Sequence, residues 1–327
     1  MPDVLLFGAT GYTGRLTGRA LVRRRASFAV AGRDRAKLEA LAAELGGVEV
    51  RVARVGDVDG LGRALEGVRV LLTCVGPFTE LGDTAVEAAL RAGAHYVDAT
   101  GEGEFVARLI AERDEPARAR GIALAPCMGF DEVPADVAAT LAVEGLERPQ
   151  VVVTYAVRGR FSHGTLRSLL GILAAQDGWG GSPRPGCVAC PFAVRHLAPL
   201  HLELASLETY LVGGRGARIG VSTARALASS PRARRVLERL VPGGGPNERA
   251  RAASRWTIVA QAHAGSERRR VELGGRDGYG LTAELLAAAA MRLTEEGYDR
   301  AGVLAPVQAV GLETLRKELT DWGVAFR

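Results

Sequence analysis

Three glycines at a spacing of three, Gly8, Gly11 and Gly14, stand inside VLLFGATGYTGRLTG near the start of the chain. A strand-like apolar run precedes them and helix-forming residues follow. A glycine turn in that setting lets backbone approach a pyrophosphate, while the helix start offers N–H groups and the positive end of its dipole. Gly8 would permit the tight turn, Gly11 the close approach, and Gly14 the packing of helix on strand. The chemistry expected is the binding of a dinucleotide.

The end of the second strand-like run separates the two dinucleotides. An acid there binds the ribose 2′-hydroxyl of NAD, whereas cations suit the 2′-phosphate of NADP. Here FAVAG is followed by Arg33, with Arg35 and Lys37 close behind. The planar guanidinium fork matches phosphate, and cations at a helix start are unfavourable unless an anion is near. Asp34 is acidic but one residue late. The expectation is NADP, with Arg33 and Lys37 among its ligands.

Hydride transfer is the cofactor's chemistry, so the protein must orient the reactants and usually supply a proton. No tyrosine is followed four residues later by lysine, which excludes one common donor pair, and Lys37 and Lys317 are the only lysines. The remaining candidates follow strand ends, where open parallel sheets bind ligands. Asp98, Thr100 and Glu102 follow the fifth run, and Cys127, Phe130 and Asp131 the sixth. Asp98 and Glu102 are the expected proton donors. Phe130 and Asp131, with Tyr155 and His163 from further along, are expected to meet substrate. Capping is the commoner role for acids at such positions, and a histidine near a helix start is more often structural. Cys187, Cys190, His196 and His201 invite a zinc test, which they fail: the cysteine–histidine gap is short, and cysteines three apart on a strand point to opposite faces. No metal is expected.

These residues need a scaffold, and the first 125 positions provide its pattern. Strand-like runs at 4–7, 28–31, 48–53, 68–74, 96–99 and 122–125 alternate with helical stretches, which predicts βαβ units and a parallel sheet. The runs are continuously apolar, as in a sheet covered on both faces. After Pro126 a helix is predicted over 131–144, and then the character changes. Residues 150–275 mix strand-like runs with helical ones at 165–175 and 222–240, separated by the Gly- and Pro-rich DGWGGSPRPG and VPGGGPNE. The closing stretch is helical. The fold class expected is α/β: a doubly wound Rossmann domain over 1–149 and 276–327, its final helices returning to it. A smaller α+β domain, over 150–275 and serving substrate or dimerisation, is inserted.

Composition narrows the partners. The net charge is +5, but the excess is almost all arginine, and the basic clusters at 23–25, 232–235 and 268–270 are scattered with no interleaved aromatics. A solvated surface is therefore expected rather than a nucleic-acid face. The start lacks the basic and apolar regions of an export signal, and the apolar run at 281–293 is too short to span a bilayer. A cytoplasmic protein without an integral membrane segment is expected, acting on a small molecule, with a homodimer as its candidate assembly.

Several segments together, FGATGYTG, AGRDRAKLEAL, VGPFTELGDTAVEAALRAGAHYVDATGE and CMGFDEVPAD, resemble the saccharopine-dehydrogenase-like oxidoreductases. The nearest branch is that of the trans-acting enoyl reductases, which the ending GVLAPVQAVGLETLRKELTDWGVAF also resembles. The resemblance implies that Gly8, Thr10, Gly11, Tyr12, Thr13 and Gly14 hold the pyrophosphate and Arg33 the 2′-phosphate. It places Asp57 near the adenine, and Val75, Gly76 and Pro77 along the nicotinamide ribose. The activity expected is hydride transfer to or from a C=C or C=N bond. The alternative is a non-catalytic NADP-binding sensor or assembly protein.

Overall fold

In the computed structural model every side chain of β1 (Val4–Phe7) is buried, as suits a strand in the middle of a sheet covered on both faces. The structure describes the chain except for residues 175–178, 182–185, 214–216, 231, 234, 235 and 237–242. α1 (Tyr12–Arg23) follows the glycine turn. The alternation continues through β2 (Phe28–Gly32), α2 (Arg35–Glu44), β3 (Glu49–Val52), α3 (Val58–Ala64), β4 (Val70–Thr73) and α4 (Phe78–Ala92). It ends with β5 (His95–Asp98), α5 (Gly103–Ala119) and β6 (Ala123–Ala125). With the late β13 (Gly302–Val303) these strands form one parallel sheet, in the order β13-β6-β5-β4-β1-β2-β3. This is the doubly wound, Rossmann-like arrangement. Strand order reverses around β1, and a ligand site lies outside the carboxyl ends of strands at such a reversal.

Two elements depart from the sequence expectation. β3 is an edge strand whose residues are exposed or half-buried rather than a covered apolar run; Glu49 and Arg51 pair along it at 2.7 Å, and charge on an edge discourages further pairing. α4 begins at Phe78, five residues before the helix over 83–92 that the sequence pattern suggests, because Phe78 packs at 5.9 Å on Phe105 and so continues the buried face.

The chain divides into two compact units. The first comprises Met1–Thr100, Phe105–Phe130 and Tyr279–Glu318, and the second Gly101–Glu104, Asp131–Gly278 and Leu319–Arg327. α6 (Glu132–Val143), which the sequence suggested belongs with the first sheet, lies in the second unit. It is an apolar helix buried along most of its length, and it packs on β11 (Arg255–Ala264) and β12 (Glu267–Gly275).

The second unit holds a mixed sheet in the order β14-β12-β11-β7-β10-β9-β8. β7 (Gln150–Arg158) and β10 (Ser206–Val212) run parallel, and the other pairs are antiparallel. β8 (Gly180–Gly181), β9 (Cys187–Ala189) and β14 (Ala325–Phe326) complete it. Among its helices are α7 (His163–Ala174), the short α8 (Val194–Leu197), α9 (Ala217–Ala228) and α10 (Glu248–Ala253). The end of the helix expected over 222–240 and parts of both Gly- and Pro-rich loops lie outside the described residues.

The closing helices α11 (Gly278–Leu293), α12 (Pro306–Val310) and α13 (Leu312–Asp321) follow. Glu284 of α11 accepts from Arg23 and Arg24 at 2.5 and 2.9 Å, and Glu318 of α13 accepts from Arg24 at 2.5 Å. The C-terminal end of α1 is thereby fastened to both late helices. Residues 319–327 instead join the second unit, where β14 pairs with β12. Among the described residues no helix is long and apolar enough to cross a membrane.

Candidate functional site

The glycine turn is built as its spacing predicts. Gly8 has φ +79°, in the left-handed region, and a Cβ there would stand 2.6 Å from Val75 Cγ2. The Gly11 amide donates to the Gly8 carbonyl at 3.0 Å and closes the turn. A Cβ on Gly14 would lie 2.3 Å from the Gly8 carbonyl oxygen, so only glycine allows α1 to sit this close to β1. No side chain caps the start of α1 and no acid stands in its first turn. Its positive end is thus left for an outside anion. Thr10, Tyr12 and Thr13 are half-buried around the turn. Val75 reaches it from the loop after β4, where Gly76 and Pro77 follow and Pro77 is the N-cap of α4.

The three cations after β2 have different surroundings. Lys37 Nζ lies 3.3 Å from Asp34, and Arg35 3.6 Å from Glu39. Asp34 also caps α2 by accepting the Lys37 amide at 3.1 Å, which holds its carboxyl below the usual range. Arg33 is exposed and makes no ion pair with a described residue. Asp57 caps α3, accepting the Gly60 amide at 2.8 Å. The cradle, the uncapped helix start and the unneutralised Arg33 fit a dinucleotide bearing a 2′-phosphate.

Asp98, at the end of β5, is fully buried. Its carboxylate accepts the Tyr96 hydroxyl at 2.6 Å, the Thr100 amide at 2.8 Å and the Cys127 amide at 2.9 Å. Burial and the adjacent Asp98 push the Tyr96 hydroxyl well above its ordinary pKa. Asp98 therefore ties the ends of β5 and β6 together, which pairwise reading of strand ends does not reveal. Tyr96 was visible only as the residue two before Asp98, on the same strand face. Phe130 follows β6, and its amide donates to Thr282 Oγ1 at 3.1 Å.

The other candidates lie in the second unit. Glu102 is buried and accepts the Ser168 hydroxyl of α7 at 2.8 Å. Its flanking glycines are tightly placed: a Cβ on Gly101 would be 3.0 Å from Asp131 Oδ2, and one on Gly103 2.7 Å from the Pro191 carbonyl. Asp131 is half-buried as a residue, but its carboxyl is withdrawn from water and is raised to about 6. Tyr155 is buried and stacks on Phe192 with centroids 3.8 Å apart. The His163 amide donates to the Gly244 carbonyl at 2.8 Å as α7 begins.

Sequence reasoning missed two acids of α6. Glu132 is fully buried, and its carboxylate accepts the amides of Ala193 and Val194 at 3.0 and 2.7 Å. Burial, with Asp131 beside it, raises its carboxyl well above the ordinary value. Asp136 is buried 2.8 Å from His201 Nε2. Charged groups inside the apolar run EVPADVAATLAV were the available signal, since buried charge demands a partner. The cysteine and histidine set is dispersed among such partners. Burial with Glu132 nearby pushes the Cys190 thiol up to about 12, and burial beside Arg195 holds His196 below its usual value. Among the described residues no group of three or more acidic, histidine or cysteine side chains is placed to hold a metal ion.

Residues 4–123 match the family described as saccharopine dehydrogenase NADP binding domain. This segment is thus similar to NADP-binding domains of the saccharopine dehydrogenase type. The chain is 35% identical over 140 residues to a trans-acting enoyl reductase of Mycobacterium ulcerans, covering 41% of this chain and 34% of that protein. It is 29% identical over 154 residues to the human saccharopine dehydrogenase-like oxidoreductase, covering 41% and 35%. The matched stretch thus spans about a third of each relative's length. In fold, the likeness extends beyond the NADP-binding domain. The apo saccharopine dehydrogenase (L-Glu forming) of Saccharomyces cerevisiae superposes with a TM-score of 0.62 at 14% identity, covering 100% of this chain and 99% of that one.

Proposed function

We propose that the chain is an NADP(H)-dependent oxidoreductase that moves a hydride to or from a C=C or C=N bond of an organic substrate. The observation that carries this reading is the NADP-binding domain itself, with its glycine cradle at the strand-order reversal. The names of the relatives, an enoyl reductase and a saccharopine dehydrogenase-like oxidoreductase, agree with it.

In this reading Gly8, Thr10, Gly11, Tyr12, Thr13 and Gly14 bind the pyrophosphate through the turn and the α1 dipole. Arg33 takes the 2′-phosphate. Lys37 contributes less, because Asp34 already holds it. Val75, Gly76 and Pro77 line the ribose on the nicotinamide side, and Asp57 shapes the adenine end by fixing the start of α3. The nicotinamide, when bound, supplies the hydride chemistry. Asp98 acts as a positioning residue, since three donors already occupy its carboxylate. Glu102 and Asp131 are the candidates for holding the substrate proton. Asp131 has a pKa of about 6, near the value that lets one carboxyl both keep and release a proton at neutral pH.

The second reading is a non-catalytic NADP-binding protein, and the internal engagement of Asp98 is what favours it. Incubating the intact chain with NADPH and a panel of enoyl and imine compounds separates the two. Loss of nicotinamide absorbance with a subset of the panel supports the oxidoreductase. Tight NADPH binding without turnover on any compound supports the sensor.

A further inference from the structure

The most informative feature outside the residues already assigned is the first turn of α11, far along the chain from the glycine cradle yet in the same unit. The Tyr279 ring meets the Tyr12 ring edge to face, with centroids 5.1 Å apart and planes at 89°. Tyr12 is the first residue of α1 and follows Gly11 directly. Three residues after Tyr279, Thr282 accepts the Phe130 amide from the segment after β6. Two residues further on, Glu284 holds Arg23 and Arg24 at the other end of α1. The start of α11 is therefore fixed from two sides, at the carboxyl end of β6 and along α1.

This placement has an electrostatic consequence. The rings meet beside the starts of two helices; neither first turn contains an acidic residue, while Asp277, directly before α11, lies 3.5 Å from Arg251. Each helix start carries the positive end of a dipole, which favours an anion beside it. Gly278 and Gly280, both buried, flank Tyr279. Glycine is a poor choice inside a helix. An aromatic ring at such a site supplies rigid contact area at small entropic cost, because only two torsions need be fixed.

We infer that Tyr279 is a further residue of the NADP site, forming with Tyr12 an aromatic wall beside the pyrophosphate. The inference rests on the NADP-binding reading but not on any catalytic role, because it concerns affinity. α11 would thus complete a site whose other residues all come from the first 80 positions.

The test is a calorimetric titration of NADPH into the intact wild-type chain, Tyr279→Phe and Tyr279→Ala, with melting temperatures of the cofactor-free proteins recorded alongside. The Phe variant, which keeps the ring, should bind within about twofold of wild type. The Ala variant should bind about 3- to 10-fold more weakly, the loss expected for one aromatic contact. If Tyr279→Ala does not fold, Tyr279→Leu serves for the same comparison, since it fills the space without a ring. An Ala or Leu variant that melts earlier but binds NADPH as wild type does would assign Tyr279 to packing alone and overturn the inference. A wild-type chain that binds no NADPH would overturn the NADP reading itself, and the inference with it.

Discussion

The Cys127 amide donates to the Asp98 carboxylate at 2.9 Å, and Cys127 holds a left-handed backbone with φ +67°. A non-glycine residue in that region is strained by about 1–2 kcal/mol, so the bond to Asp98 stabilises a conformation that Cys127 would not choose. The carboxylate at the end of β5 thus shapes the chain at the end of β6.

Asp98→Asn should lower unfolding stability by about 1–3 kcal/mol, since an amide offers one acceptor oxygen where three buried donors converge. In the Asp98→Asn background, or alone, Cys127→Gly should be more stable than Cys127→Ala by about 1 kcal/mol, because glycine tolerates the positive φ. Urea unfolding of these variants checks both statements. Equal stability of the Gly and Ala variants would show that the backbone at Cys127 is not strained.

Gly14→Ala should be more damaging than its single methyl suggests. The added Cβ would fall 2.3 Å from the Gly8 carbonyl oxygen, and backbone cannot give way as a flexible side chain does. Overpacking of this kind typically costs about 1–3 kcal/mol. The expected result is a lowered melting temperature together with NADPH binding reduced at least about tenfold, since the displaced atoms are those of the cradle.

Much of this site was legible in the sequence for a local reason. A glycine turn is specified by residues a few positions apart, so the turn at Gly8, Gly11 and Gly14 could be read directly. Asp34 and Asp57 cap helices through contacts three residues away, a role the sequence reading did not give them. Asp98 could be found but not understood, because its third partner, Cys127, is brought by a different strand. Glu132 and Tyr279 were beyond reach for the same reason. Glu132 is satisfied by amides more than 60 positions away, and Tyr279 meets a ring near the start of the chain. The placement of α6 was missed because a helix apolar on nearly every side gives no periodicity to show which sheet it covers.

Asp131 gives the protein a pH dependence of definite sign. Its carboxyl titrates near 3.8 when unfolded and at about 6 when folded. Between those values the folded state binds more protons than the unfolded one, so stability falls as pH rises. The contribution is present in full below the lower value and is lost on passing the higher. Asp131→Asn should flatten that part of the stability curve, and it should also ease the ionisation of Glu132, whose pKa Asp131 raises. Denaturant unfolding of both proteins at several pH values across this window checks the sign. If turnover is found, its pH profile should show a limb near the same value that Asp131→Asn removes or displaces.

The central claim is that the first unit is built for NADP, and Arg33 is where it is most exposed to test. Competitive titration of the intact chain with NADPH and NADH, before and after Arg33→Asp, measures it directly. A charge-assisted contact to the 2′-phosphate contributes about 1.5–3 kcal/mol, roughly 10- to 150-fold in affinity. Wild type should prefer NADPH by at least about tenfold, and the substitution should remove most of this preference while changing NADH affinity little. Equal affinity of the wild-type protein for NADPH and NADH would contradict the claim.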